Sequence, residues 1–96
     1  VINISSIIPD SYLLYQNYPN PFNPTTIIRY QIEDSRYVII KVYDILGREI
    51  TTLINEKKPP GIYEVSFDGS KLPSGVYFYR IQTGDFSQVK KMLMIK

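Results

Sequence analysis

The 96-residue chain contains no cysteine, histidine, tryptophan or alanine. Without Cys or His there is no zinc or iron–sulfur ligation, no thiol nucleophile and no Ser-His-Asp triad, and no side chain titrates near neutrality at its ordinary pKa. An enzyme is therefore not expected, nor a metal or other cofactor. The missing Ala removes the best helix former. Charge of neither sign dominates: 11 Lys and Arg against 9 Asp and Glu give a net +2, spread along the chain without a basic stripe, so no nucleic-acid partner is expected. No apolar run approaches the ~20 residues of a membrane-spanning helix, and none is expected. The lack of cysteine leaves the redox compartment open. The chain starts at Val1 with no initiator Met, charged n-region or small-residue cleavage site, which reads as a processed product or a fragment.

What is present points to one fold class. Ile, Val, Thr, Tyr and Phe make up 39 of the 96 residues, all types that suit a pleated, half-buried surface. Apolar stretches recur between Gly, Pro and Asp punctuation, too short for crossover helices. A short strand is expected over residues 12–18, before YPNPFNP (18–24) forces extended or turn geometry through its three prolines. Residues 25–33 alternate, with Ile28, Tyr30 and Ile32 on one face. Residues 36–44 do the same with Val38, Ile40 and Val42. Gly47 supplies a positive φ in DILG (44–47), and residues 48–55 read as the returning strand with Ile50 and either Leu53 or Ile54 inward. EKKPPG (56–61) reads as a solvated loop. Tyr63, Val65 and Phe67 alternate next. Residues 75–84, with Tyr77, Tyr79 and Ile81 on one side, read as a central strand.

The last stretch, 86–96, has two apolar rows, Val89, Leu93 and Ile95 opposite Met92 and Met94, and the pattern does not choose between them. The count is seven strands from residue 12 onward. That predicts an all-β, immunoglobulin or fibronectin III-like antiparallel β-sandwich over residues 12–96, preceded by an extended segment, 1–11.

Individual motifs mostly have structural readings. LPSGVY (72–77) sets a Leu-Pro turn before a tyrosine, the arrangement of a tyrosine corner in which the hydroxyl bonds upstream backbone. Pro21-Phe22-Asn23-Pro24 satisfies PxxP, but Phe22 and the flanking strands favour an ordered loop over a polyproline ligand. The aspartates sit near turns, where they bond local backbone. Asn3-Ile4-Ser5 fits a glycosylation acceptor, a pattern common by chance.

Two features resist so plain a reading. In VINISSII (1–8) the residues Val1, Ile2, Ile4, Ile7 and Ile8 are aliphatic, which a solvated linker would not be. The segment could pair with its own sheet, pack on a preceding domain, or add as a strand to a second copy and so build a homo-polymer. KKMLMIK (90–96) ends the chain as a strand with lysines around an apolar centre, either a charged edge that discourages aggregation or a terminal address.

Four blocks in order, QNYPNPFNPTTIIRYQI (16–32), KVYDILGREITTL (41–53), LPSGVYFYRIQTGDF (72–86) and KKMLMIK, closely resemble the type A C-terminal sorting domain of the type IX secretion system. The likeness covers residues 12–96. The chain is also similar to the related immunoglobulin-like domain of flagellar hook-capping proteins. The resemblance implies a non-catalytic domain of a Gram-negative Bacteroidota-like bacterium. Such a domain is exported through the periplasm and outer membrane to the surface or medium, with an outer-membrane shuttle and a sortase-like peptidase as partners. The implied recognition residues are Pro19, Asn20 and Pro21, then Gly47, Gly75 and Tyr77, and finally Lys91, Met92, Leu93, Met94, Ile95 and Lys96. An alternative retained role is a subunit of an extracellular filament held together by exchange of the strand at residues 1–8.

Overall fold

A computed structural model describes residues 11–96. Seven strands run in chain order as β1 (Leu13–Leu14), β2 (Thr25–Ile32), β3 (Arg36–Tyr43), β4 (Glu49–Lys58), β5 (Gly61–Asp68), β6 (Gly75–Thr83) and β7 (Phe86–Met94). They form two antiparallel sheets, ordered β1-β2-β5 and β4-β3-β6-β7. The fold is the expected all-β sandwich. Its fourth strand pairs with the third in the larger sheet, whereas an immunoglobulin constant domain adds that strand to the sheet of the first, second and fifth.

The core consists of the inner rows that alternation selects. Ile28, Tyr30 and Ile32 of β2 face Val38, Ile40 and Val42 of β3 and Tyr77, Tyr79 and Ile81 of β6, all buried. Burial takes the Tyr30 and Tyr79 hydroxyls out of water and pushes both pKa values up to about 12. Tyr79 donates its hydroxyl hydrogen to the Tyr15 carbonyl at 2.6 Å. On β7 the buried row is Met92 and Met94, while Val89 and Leu93, and Ile95 just after the strand, face out.

Three strand boundaries differ from expectation. The stretch 12–18 keeps only Leu13–Leu14 as strand, followed by one backbone bond from Tyr15 to Arg29 and an isolated antiparallel bridge between Tyr18 and Ile27, because the chain turns away at Pro19. Residues 56–58 are strand, not loop, so that β4 and β5 are separated by Pro59 and Pro60 alone. Lys57 and Lys58 can be strand because β4 is an edge: Lys58 pairs with Glu56 at 2.8 Å and stands 5.0 Å over the Tyr63 ring. The last strand stops at Met94, ahead of Ile95 and Lys96.

On β4, two bulges explain why Ile50, Leu53 and Ile54 all reach the core. Ile40 pairs with Ile54 and Lys41 with Thr52, which leaves Leu53 unmatched; Val42 pairs with Thr51 and Tyr43 with Glu49, which leaves Ile50 unmatched. Each extra residue resets which side chains point inward.

Strand direction places the connections at two ends. One pole holds the short turns 33–35, 59–60 and 84–85, and there the chain arrives at Tyr12. The other holds the loop before β2 (19–24), the turn 44–48, the loop 69–74 and the exit from β7.

Candidate functional site

The loop-rich pole is built first by the segment before β2. Asn17, buried, donates from its amide to the Pro19 carbonyl at 3.1 Å and to Thr26 Oγ1 at 3.0 Å, and the Thr26 hydroxyl donates to the same carbonyl at 2.9 Å. These bonds fix the turn that delivers Phe22 to the core, where its ring lies edge-on to Phe67 at 6.0 Å. The peptide bonds before Pro19, Pro21 and Pro24 are cis.

Phe22 also joins the sheet. Its amide donates to the Leu93 carbonyl and its carbonyl accepts from the Ile95 amide, both at 2.9 Å, a parallel bridge opposite Met94. Asn20 Oδ1 accepts from the Leu93 amide at 3.0 Å, and Gln16 donates to the Lys91 carbonyl at 2.7 Å. The C-terminal part of the outer edge of β7, otherwise a row of open donors and acceptors, is thus covered by Gln16, Asn20 and Phe22 from the segment before β2. Gly69 lies under this junction: a Cβ there would meet Met94 Sδ at 2.5 Å. Lys96 reaches across to the Ser70 carbonyl at 3.3 Å.

Beside it, the turn 44–48 and the corner 72–77 enclose a groove of about 400 Å³, lined by Ile45, Leu46, Ile50, Leu72, Val76 and Tyr77 among others. Asp44 holds the turn: Oδ1 accepts from the Leu46 and Arg48 amides at 2.9 Å, Oδ2 from Arg48 Nε at 2.7 Å, and the Asp44 amide donates to the Arg48 carbonyl at 3.0 Å. The Arg48 amide, the Arg48 guanidinium and the Leu46 amide keep the Asp44 carboxyl below the usual carboxylate range. Gly47 takes φ +82°, where a side chain would be strained. On the opposite wall the Tyr77 hydroxyl donates to the Pro73 carbonyl at 2.5 Å, completing the expected corner. Burial first, and the Asp44 charge second, raise the Tyr77 pKa. Ile45 and Leu46 themselves project into solvent, 69% and 74% exposed.

Residues 16–96 match the family described as the secretion system C-terminal sorting domain. The chain belongs to this family, the sorting domains of the type IX secretion system. Two solved structures share the fold of this sorting domain. Dimeric latent PorU from Porphyromonas gingivalis is 22% identical with a TM-score of 0.69 over 94% of the chain, and PorZ, an essential surface component of the type IX secretion system of the same organism, is 20% identical with a TM-score of 0.60 over 96%. The chain spans 10% and 12% of those two proteins. No curated protein matches it.

The residues singled out for the sorting domain fall into two neighbouring groups at this pole. Asn20, between Pro19 and Pro21, bonds Leu93, and Phe22 beside them bonds Leu93 and Ile95, while Gly75 and Tyr77 line the groove whose facing turn contains Gly47. The groups touch, since Gly75 pairs with Met94. Of the terminal six, Met92 and Met94 point into the core, and Lys91, Leu93, Ile95 and Lys96 outward. Val1, Ile2, Ile4, Ile7 and Ile8, the strand-exchange reading resting on them, and the Asn3 motif lie outside the described residues. Among the described residues no cluster of His, Cys, Asp and Glu could hold a metal, and no helix is long and apolar enough to cross a membrane.

Sequence reasoning placed Tyr63 in an alternating row but missed its corner, in which the hydroxyl donates to the Pro59 carbonyl at 2.5 Å. The signal was there: PPGIY (59–63) repeats the Pro-x-Gly-β-branched-Tyr pattern of PSGVY (73–77). It also passed over Ile45 and Leu46, which alternation cannot classify because they lie in a turn.

Proposed function

We propose that residues 12–96 act as a non-catalytic export signal. The domain carries the protein that bears it across the outer membrane through the type IX secretion system, to the cell surface or the medium, with residues 1–11 as the connection to what precedes it. The family match supports this reading, and so does the gathering of the residues implied in recognition at one pole, next to the exit of β7. An outer-membrane shuttle and a sortase-like peptidase are the partners the reading names.

The test is a fusion of residues 12–96 to a periplasmic reporter in a type IX-competent cell, with surface display expected. Absence of display from a folded fusion overturns the reading. Removing residues 91–96 would also take Met92 and Met94 from the core, so the informative terminal variant is Leu93→Ser with Ile95→Ser, whose side chains face solvent. Display is expected to fall; a folded variant displayed like its parent removes the terminal strand from the recognition surface.

A further inference from the structure

We propose that Ile45 and Leu46, held out from the turn 44–48 beside the groove, are the residues that a receptor protein grips, through an apolar cleft rimmed by carboxylates. The proposal rests on the export reading and names the contact within it. Gly47 then shapes the turn, and Gly75 and Tyr77 the groove, as positioning residues.

Three observations support it. Two large aliphatic side chains in a five-residue turn are 69% and 74% exposed, and neither contributes to the core. Their exposure does not come from a loose loop: four hydrogen bonds centred on Asp44 and a bond from the Gly47 amide to the Asp44 carbonyl fix the turn. A rigid apolar projection loses little conformational entropy when a partner covers it. Behind it, the Ile50, Leu72 and Val76 side chains line a recess of about 400 Å³ into which a partner's side chain fits.

Charge selects the partner. Lys71 adjoins the groove-lining Leu72, and Lys96 is tethered to Ser70 in the same loop. Among the described residues neither is in an ion pair. Of the nearby carboxylates, Asp44 is paired with Arg48, and Asp68, bonded to the Ser70 amide at 2.9 Å, keeps its charge near Lys71, so Lys96 supplies the surplus cation. The surface offered is therefore apolar at its centre and cationic at its margin, which a receptor cleft with an acidic rim complements in steering and register.

The reporter fusion tests this with Ile45→Ser plus Leu46→Ser, alongside Ile45→Val plus Leu46→Met and an exposed control on β7, Val89→Ser. Because the turn's bonds are made by Asp44, Arg48 and backbone, the double serine variant is expected to melt within a few degrees of the parent. Its surface display should fall at least about tenfold, as expected when central apolar anchors are lost, with reporter retained in the periplasm. The conservative pair and the control should display normally. Should the double variant melt much lower, Leu46→Lys alone replaces it with the same expectation. Gly47→Val should lose display that Gly47→Asn, able to adopt positive φ, retains.

Normal display of the folded serine or lysine variant overturns this proposal and leaves the export reading standing. Failure of the parent fusion overturns both. If sedimentation shows a dimer that the double variant dissolves while display is unchanged, the surface joins two copies and the proposal is wrong. Lys71→Glu with Lys96→Glu should lower display as well; an increase would reverse the assigned charge of the receptor rim.

Discussion

The two poles of the sandwich use the same corner and surround it differently. At each, a tyrosine hydroxyl reaches back four residues to a proline carbonyl, Tyr63 to Pro59 and Tyr77 to Pro73. Around Tyr63 the connections are short: two prolines between β4 and β5, Gly84 and Asp85 between β6 and β7. Around Tyr77 they lengthen into the proline loop, the Asp44 turn and the loop 69–74, which bury one aromatic ring and leave two aliphatic side chains in water. The corner is thus a device for starting a strand, and it serves an edge strand, β5, and an interior one, β6, alike. Where the poles diverge, the extra chain is held in place by side-chain bonds that sheet closure does not require.

Substitutions can press on that contrast. The largest effect is expected from Phe22→Ala, which removes a buried ring and frees the segment bonded to β7; it should cost about 3–5 kcal/mol in chemical denaturation, a large share of a small domain's stability. A loss under about 1 kcal/mol would mean that the loop is an ornament on a sandwich complete without it. Next, Tyr63→Phe and Tyr77→Phe should each cost about 1 kcal/mol. Similar losses with display intact in both would mark the corner as architecture, whereas a display defect confined to Tyr77→Phe at equal stability would give that hydroxyl a role in recognition.

The smallest effect concerns pH. Asp34 at the short-turn pole is held below the usual carboxylate range by the Tyr12 hydroxyl first and Arg36 second, as Asp44 is by Arg48 and Leu46. A carboxyl whose folded pKa is depressed stabilises the fold above its unfolded value near ~3.9, and that contribution is lost as pH falls through the lower folded value. Asp34→Asn and Asp44→Asn should therefore melt slightly below the parent at pH 6, the gap closing as the pH is taken below both values. Only Asp44→Asn should also reduce display, and a gap that persists in acid would show that the bonds matter through geometry and not charge.

Much of this fold was legible because one side of most strands is uniformly apolar. Ile28, Tyr30 and Ile32 alternate with Ile27, Arg29 and Gln31, and Val38, Ile40 and Val42 with Ile39, Lys41 and Tyr43, so the charged groups mark the outer row and a period of two leaves one choice of inward face. Where both faces are apolar, as with Met92 and Met94 against Leu93 and Ile95, composition cannot decide; the parallel bridge between Phe22 and Met94, more than seventy residues apart in the chain, fixes the choice. Leu53 and Ile54 could not be separated because a bulge brings both inward. Lys57 and Lys58 looked like loop because charge usually marks solvent, yet an edge strand tolerates it.

At the loop-rich pole, the corner could be read from Pro73, Gly75 and Tyr77 alone. The resemblance supplied the list of implied recognition residues. Neither showed that the proline loop would lie against β7, since a contact between distant segments has no local periodicity.

The chain's arrival point adds one more consequence. Tyr12 is stacked on Phe86 at 5.4 Å, with Arg36 at 5.4 Å over its ring and its hydroxyl bonded to Asp34, so the domain begins at a fixed spot on the short-turn pole. The nine residues of β7 separate that spot from the opposite end by about 30 Å. Tyr12 and the groove thus stand at opposite ends of the sandwich, which acts as a spacer between them.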